Sequence, residues 1–344
     1  MPRSAGTKLP LRATIADVAR QAGVSIATVS RVMNQTAPVT PETMARVQTA
    51  IAELDYRPQA AARVLASQKT NTIGLLFTEI SGDFFSPLLR GIEAEARENG
   101  YSLLIYATQG RGTACATRRQ PLGEHNTDGL LVFVDSVLEA ELIRFNQIGL
   151  PVVLVHHSPP EGLDIPCVTV ENKRGARILV DHLIEVHGYH RIAFLAGPAE
   201  QEDSYWREMG YRESLASHSI PFEPGLVSVG GFDREKAQAA IERWLKEGLE
   251  FDAVFASDDE SAIGVLTALH HAGKRVPEDV AVVGFDDIAL SHYLIPPLTT
   301  VNAPTEQVGH EAIKQLVRLI QGEQVDLLVL LPTKLVIRRS CGCA

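Results

Sequence analysis

The sequence predicts an α/β fold in two parts, a small, wholly helical head followed by a larger body of parallel, doubly wound sheets. Three observations predict it. Residues 14–34 hold two short amphipathic patterns on either side of a single glycine. From residue 71 onward, apolar runs of strand length alternate with helical stretches, the pattern of repeated β-α-β units with helices on both faces of the sheet. The charge is also segregated. Residues 1–70 carry nine Lys and Arg against four Asp and Glu, a net +5, whereas the whole chain is −10, so the remainder carries −15. A basic head on an acidic body points to a head that meets a polyanion.

The first helix is expected to start at Thr14, with the Thr14 hydroxyl and the Asp17 carboxylate capping each other's backbone amides. Ile15, Val18, Ala19 and Ala22 then recur at helical spacing as a buried stripe. Gly23 supplies a positive φ at the turn, Ser25 caps the second helix, and Val29 and Val32 point inward. That leaves Ile26, Ala27, Thr28, Ser30, Arg31 and Asn34 on the outer face. Thr40 and Pro41 open a third helix, whose Met44, Val47, Ile51 and Leu54 close a small core. An outer face of small, hydroxylic and basic side chains suits phosphate oxygens and base edges, and the unit reads as a helix-turn-helix spanning 12–57. Ile26, Ala27 and Arg31 are the candidates for base contacts, the first two through apolar contact and Arg31 through guanine. Thr14, Ser25, Thr28, Ser30, Asn34, Thr40 and Tyr56 are the candidates for phosphate contacts.

Residues 58–70 form a connector. Pro58 can open a short alanine-rich helix with no stripe wide enough to dock, which makes it conditional on DNA. Ala62 and Leu65 lie on it, and Leu65 can wedge between base steps in the minor groove. Residues 56–67 alone fit this hinge helix and a plain linker equally well.

In the body, strands are expected at Ile73–Phe77, Ser102–Tyr106, Leu130–Val134, Val152–His156, Cys167–Glu171, Ile192–Ala196, Leu226–Val229, Ala253–Ala256, Ala281–Gly284 and Lys334–Ile337. Helices are expected at 86–99, 138–147, 172–187, 205–217, 234–246, 261–272 and 306–321. So many strands in 71–344 call for two lobes, one of about 71–170 plus 300–332 and one of about 171–298 plus the last strand. Ligands of parallel sheets bind at the carboxyl ends of the strands, so the residues just after strands are the candidates. Asp83, Phe84 and Phe85 follow the first strand: the carboxylate can accept from hydroxyls, a ring can stack on a sugar face, and at least one Phe is expected to be core.

Taken together, the helix-turn-helix, the Tyr56-Arg57-Pro58-Gln59-Ala60-Ala61-Ala62-Arg63 hinge, Asp128-Gly129-Leu130-Leu131, Val276-Pro277-Glu278-Asp279-Val280, Val283-Gly284-Phe285-Asp286-Asp287 and Pro296-Pro297-Leu298-Thr299-Thr300-Val301 resemble the lactose/galactose repressor (LacI/GalR) family over nearly the whole chain. The resemblance implies a dimeric, sequence-specific DNA-binding repressor with a two-lobed, periplasmic-binding-protein-like body that senses a small effector. It also implies effector contacts at Arg207, Phe232, Asp258 and Asp286. Capping of the following helices explains Asp259 and Asp287 instead.

The inferred pocket is rich in acceptors, which fits a sugar or polyol better than a purine; the purine-sensing branch of the family carries a basic residue where Gln201 stands. The sequence is equally compatible with an effector that releases DNA and one that holds it. Two departures stand out. Residues 110–126, with Pro121 and three glycines, make a poor helix where the family has one, and Glu171 stands where the family usually has Asp.

No Gly-x-Ser-x-Gly elbow, P-loop or dinucleotide-binding glycine triplet is present, so neither an enzyme nor a bound cofactor is expected. With no secretory core near Met1 and no apolar run of membrane-spanning length, the expected partners are duplex DNA, a small effector and a second copy of the chain, in the cytoplasm. A dimer rather than a tetramer is expected, since no leucine heptad follows Arg339. No metal site is expected: His156-His157 read as residues at the cleft edge or surface, His270-His271 sit late in a helix, and Cys341-Gly342-Cys343, a pair able to bind metal or oxidise, read first as a reduced pair at a loose end.

Overall fold

The computed structural model describes residues 13–34, 37–56, 69–78, 80, 82–108, 121–133 and 135–344, and the chain divides between Thr70 and Asn71 into a head and a body. The expected hinge helix, with Ala62 and Leu65, lies outside the described residues, as do Val134 and most of 110–126.

The head holds three helices: α1 (Ile15–Ala22), α2 (Ile26–Asn34) and α3 (Pro41–Glu53). Each begins on a hydroxyl three residues before the amide it caps. Thr14 Oγ1 accepts from Asp17 N at 3.3 Å while the Asp17 carboxylate accepts from Thr14 N at 2.9 Å. Ser25 Oγ accepts from Thr28 N at 3.1 Å, and Thr40 Oγ1 from Thr43 N at 3.4 Å. Each such cap contributes about 1 kcal/mol. Gly23 closes α1 with φ 61°. Val18, Val29 and Val47 are fully buried, packed with Ala19, Ala22 and Ala50. Two expectations are corrected. Met44 is exposed, and Ala50 takes the inward position. Tyr56, expected on the surface as a phosphate contact, is only 7% exposed. The chain turns at Asp55 (φ 41°), Tyr56 N bonds back to Ile51 O at 3.0 Å, and the tyrosine ring closes the core.

The body is built on two parallel sheets. β1 (Thr72–Phe77), β2 (Ser102–Ala107), β3 (Gly129–Phe133), β4 (Val152–Val155), β5 (Cys167–Val170) and β11 (Leu328–Leu331) form the first lobe's sheet in the order β11-β5-β4-β3-β1-β2. Helices α4 (Phe85–Glu98), α5 (Glu139–Gln147) and α10 (Thr305–Ile320) belong with it; α10 packs along α4. The second lobe's sheet has the order β7-β6-β8-β9, from β6 (Ile192–Ala196), β7 (Val227–Val229), β8 (Ala253–Ala256) and β9 (Ala281–Val283). Here α6 (Asn172–His187) packs on α7 (Glu202–Ser217), and α8 (Arg234–Lys246) on α9 (Asp259–His271). A short antiparallel ribbon of β10 (Thr300–Asn302) and β12 (Lys334–Val336) lies against α6. The chain passes between the lobes three times: after β5, between β10 and α10, and between β11 and β12.

All ten expected strands and seven expected helices are present within a few residues of their expected bounds. β10 and β11 are additional. Of residues 110–126, the described stretch after Pro121 is a series of turns, with Leu122 buried in the core and Asn126 Oδ1 accepting from Gly123 N at 3.0 Å.

Candidate functional site

Both sheets point the carboxyl ends of their strands into one cleft of about 1360 Å³. Each sheet reverses its strand order at one place, between β1 and β3 in the first lobe and between β6 and β8 in the second. These are the positions where side chains diverge and leave a crevice. The seven expected effector residues, Asp83, Phe84, Phe85, Arg207, Phe232, Asp258 and Asp286, all line the cleft. The volume exceeds the roughly 300–1,000 Å³ common for small-molecule pockets, so a mono- or disaccharide and its water both fit.

Arg207, on α7, is the organising group. It is 2% exposed, and three of its five N–H donors are taken: Nε by Asn172 Oδ1 at 2.8 Å, Nη1 by Ser257 O at 2.6 Å and Nη2 by Asp286 Oδ1 at 3.0 Å. Its guanidinium lies 3.9 Å from the centre of the Phe285 ring and 5.6 Å from that of Phe232. Asn172 in turn donates to Asp203 Oδ1 at 2.7 Å, and Asp203 Oδ2 lies 2.9 Å from His156 Nδ1. Arg207, expected to contact effector, is thus largely held by the protein, with two N–H groups remaining.

The carboxylates divide by environment. Burial pushes Asp203 up, but His156, Arg207 and Asn172 outweigh it and leave the group below the ordinary carboxylate range. Burial raises Asp286 to about 8; Arg207 opposes the rise, and Asp258, Asp259 and Asp203 add to it. Burial also raises Asp258 to about 6 and Asp259 to about 7. The capping expected of Asp259 falls instead to Asp258, whose Oδ1 accepts from Ser261 N at 3.1 Å, and no side chain caps the short turn after Asp287. Asp259, one residue further round the helix start, faces inward and accepts from Ile288 N, Ser291 Oγ and Thr300 Oγ1. Asp287 pairs with Arg338 at 2.6 Å.

The first lobe supplies an aromatic wall. Phe84 and Phe85 meet edge to face at 5.4 Å; Phe133 lies 5.4 Å from Phe85, and His156 lies 5.6 Å from Phe84. Neither Phe is wholly core: both are half-buried and both line the cleft. On the opposite lobe, the Phe232 ring covers Gly197, where a methyl group would run into it. Asp83 is exposed at the cleft mouth and acts electrostatically on Arg234 of the other lobe, which is paired with Glu260.

His156 is the main correction. Expected at the cleft edge or surface, it is 2% exposed, at a left-handed backbone position (φ 62°), and linked to the second lobe through Asp203. Asn172, Asp203, Ser257 and Phe133 are the partners that sequence reasoning missed. Their one signal was position, each lying at or shortly beyond the end of a strand. Glu171, flagged beside Asn172, pairs with Arg174 at 2.9 Å instead. The tail also differs from expectation. Cys341 is fully buried, and Cys341 and Cys343 lie against His182 and His187 of α6.

On the head, Ser25, Ile26, Ala27 and Arg31 are exposed along α2, with Thr28 and Ser30 half-buried beside them. Ile26, 51% exposed, is a large apolar side chain with no place in the core. Thr14 and Thr40 are exposed at the starts of α1 and α3.

The model for bacterial regulatory proteins of the lacI family matches residues 14–59, and that for a periplasmic binding protein-like domain matches 180–341. The ribose operon repressor of Escherichia coli (strain K12) is 35% identical over 309 residues, covering 90% of this chain and 93% of its own. The HTH-type transcriptional regulator CelR of Thermobifida fusca is 35% identical over 347 residues, covering 96% and 98%. Among solved structures, the lac repressor dimer bound to operator and the anti-inducer ONPF matches with a TM-score of 0.85 at 30% identity, covering 96% of this chain and 99% of that one. The transcriptional regulator CelR–cellobiose complex matches with a TM-score of 0.70 at 32% identity, covering 96% and 100%.

Proposed function

Because the chain belongs to the LacI family of bacterial regulatory proteins, we propose that it is a transcriptional repressor that reads a palindromic operator as a homodimer and changes its grip when a sugar or related polyol fills the cleft. It is a regulator, not an enzyme. Ile26 and Ala27 meet thymine methyls or other apolar edges, and Arg31 grips guanine in the major groove. Thr14, Ser25, Thr28, Ser30, Asn34 and Thr40 hold phosphates and set the register. The hinge residues Ala62 and Leu65 enter the minor groove once two heads are held at operator spacing. A reader of chromosomal operators works in the cytoplasm; among the described residues no helix is long and apolar enough to cross a membrane.

The observation that carries the effector reading is the composition of the cleft. It pairs aromatic faces (Phe84, Phe85, Phe232) with carboxylate acceptors (Asp83, Asp258, Asp286) around one held guanidinium. Vicinal hydroxyls donate to the carboxylates while the apolar face of the ring lies on an aromatic ring. A purine would leave most of these acceptors unmatched. The relatives give the same class: ribose in the name of one, cellobiose in the structure of another. Two lobes joined by three chain crossings can close on such a ligand. β1, the first strand after the connector, carries that motion toward the reader. A coupling of about 1–3 kcal/mol changes operator affinity about 5–150-fold.

The test selects the preferred duplex from a random pool with the full chain. Binding to it is then titrated with pentoses, hexoses, disaccharides and purines. A sugar that shifts operator affinity at least fivefold supports the proposal. A purine alone doing so, or no preferred duplex at moderate salt, refutes it.

A further inference from the structure

The C-terminal tail and the end of α6 bring four metal-ligating side chains together in the second lobe, apart from the effector cleft. His182 and His187 lie on α6, and Cys341 and Cys343 flank Gly342 in the last turn of the chain. One ligating atom from each, four in all, lies within 4.8 Å of the other three. Cys341 Sγ is 3.6 Å from His182 Nε2, and Cys343 Sγ is 3.7 Å from that nitrogen and 3.4 Å from His187 Nε2.

These separations have a specific meaning. Zinc bonds sulfur at about 2.3 Å and imidazole nitrogen at about 2.0–2.1 Å in tetrahedral sites, which places a ligating sulfur and nitrogen about 3.5 Å apart. The three measured sulfur–nitrogen distances bracket that value. Ordinary packing of two thiols and two imidazoles has no reason to converge four donor atoms on one point.

The surroundings are built for convergence. Gly342 has φ 107°, a conformation an L side chain rarely adopts, and a methyl group there would press on the His187 ring and the Tyr189 hydroxyl. Only glycine lets the two cysteines turn to one side at this place. Tyr189 stacks on His187 at 5.4 Å and donates to Cys341 O at 3.2 Å, holding both halves of the cluster. Thr299 Oγ1 donates to Cys341 Sγ at 3.1 Å, the kind of hydrogen bond that orients a ligating thiolate. His182 and Cys341 are buried, whereas His187 and Cys343 are half-buried and leave a path for an ion.

We infer that His182, His187, Cys341 and Cys343 form a tetrahedral zinc site that staples the C-terminal tail to α6. Two imidazoles and two thiolates suit zinc rather than magnesium or calcium, which take oxygen ligands. With no ligand position left open, the site is structural.

The test uses the full-length protein, purified under reducing conditions, incubated with zinc and dialysed. Metal analysis is expected to find one zinc per chain, and X-ray absorption at the zinc edge two sulfur and two nitrogen neighbours. Cys343→Ser and His187→Gln, at half-buried positions, are each expected to lower retained zinc about tenfold or more, since even outer partners of a metal site are worth about 10–100-fold in affinity. Cys167→Ala, in the first lobe, keeps full zinc. Zinc is also expected to raise the melting temperature of the wild type but not of the two ligand variants. Wild-type protein that retains no zinc, ligand variants that retain as much as wild type, or a Cys341–Cys343 disulfide that persists in the zinc-treated protein would each overturn the assignment.

Discussion

His156 Nδ1 lies 2.9 Å from Asp203 Oδ2, joining the end of β4 in the first lobe to the first turn of α7 in the second. Two residues on, Ser158 N and Oγ donate to Glu202 at 3.0 and 2.8 Å. One loop of the first lobe therefore grips two consecutive carboxylates of the second, and the nearer of these is already tied to Arg207 through Asn172.

Breaking that grip lowers the population of the closed body. His156→Ala is expected to weaken effector binding about tenfold, or 1.4 kcal/mol, by the fraction of molecules it leaves open. His156→Gln, whose amide can still donate toward Asp203, retains most of the affinity. Calorimetric titration with the effector measures both.

Arg207→Ala takes the guanidinium away from Asn172, Ser257 O and Asp286, and leaves Asp203 with His156 as its remaining partner. A buried acceptor left without its donor costs about 1–3 kcal/mol. Urea unfolding of the variant at neutral pH is expected to show a loss of that order. Arg207→Lys keeps the charge but not the planar fork held by Asn172, Ser257 and Asp286; it is expected to fold while losing the effector response.

Stability should depend on pH in a definite direction. Asp258, Asp259 and Asp286 are raised to about 6, 7 and 8, so over that range the folded body holds more protons than the unfolded chain. Stability therefore falls as pH rises from the ordinary carboxylate range to about 8. Asp203 is shifted the opposite way, and its contribution is lost only in acid, below the ordinary aspartate range. Melting temperature is expected to drop from the ordinary carboxylate range up to about pH 8, with Asp259 and Asp286 alone of the three setting the part above pH 6, and Asp286→Asn to flatten the top of that range. A ligand whose hydroxyls donate to Asp286 favours the carboxylate. Its affinity should rise over the same interval with release of a proton, seen as a dependence of binding heat on buffer ionisation.

Gly197→Ala drives a methyl into the Phe232 ring. A loss of about 1–3 kcal/mol is expected. In the Phe232→Ala background the same change should cost almost nothing, so the double-mutant cycle isolates the contact.

Arg31→Ala is expected to cost about 1–3 kcal/mol on the selected operator and far less on random duplex, measured by fluorescence anisotropy at fixed salt. Equal losses on the two would assign Arg31 to phosphate.

The head was legible because its determinants are local. Thr14 with Asp17, Ser25 with Thr28 and Thr40 with Thr43 each act over three residues, within reach of pattern reading. β10 and β11 were not. β10 is three residues long, and β11 alternates exposure at a sheet edge and owes its pairing to β5, far upstream. In the cleft, position after a strand singled out the right loops, since parallel sheets expose those ends. Which of two adjacent carboxylates caps and which is buried turned on side-chain direction, and the sequence order Asp258-Asp259 does not encode it. The histidine cluster at the tail was hidden for the same reason, its halves being brought together only by the completed fold.

The return of α10 and β11 to the first lobe, and the bonding of Ser340 to Val282 O at 2.6 Å and to Thr299 N at 2.8 Å in the second, bear on how the chain matures on the ribosome. Neither lobe can finish its interior before β11 and Ser340 emerge, whereas among the described residues the three-helix core uses none beyond Tyr56. The reader is therefore ready before its sensor exists. A chain cut short inside the body would then carry a folded reader without the interior that closes on a ligand, and would bind at most a half-site.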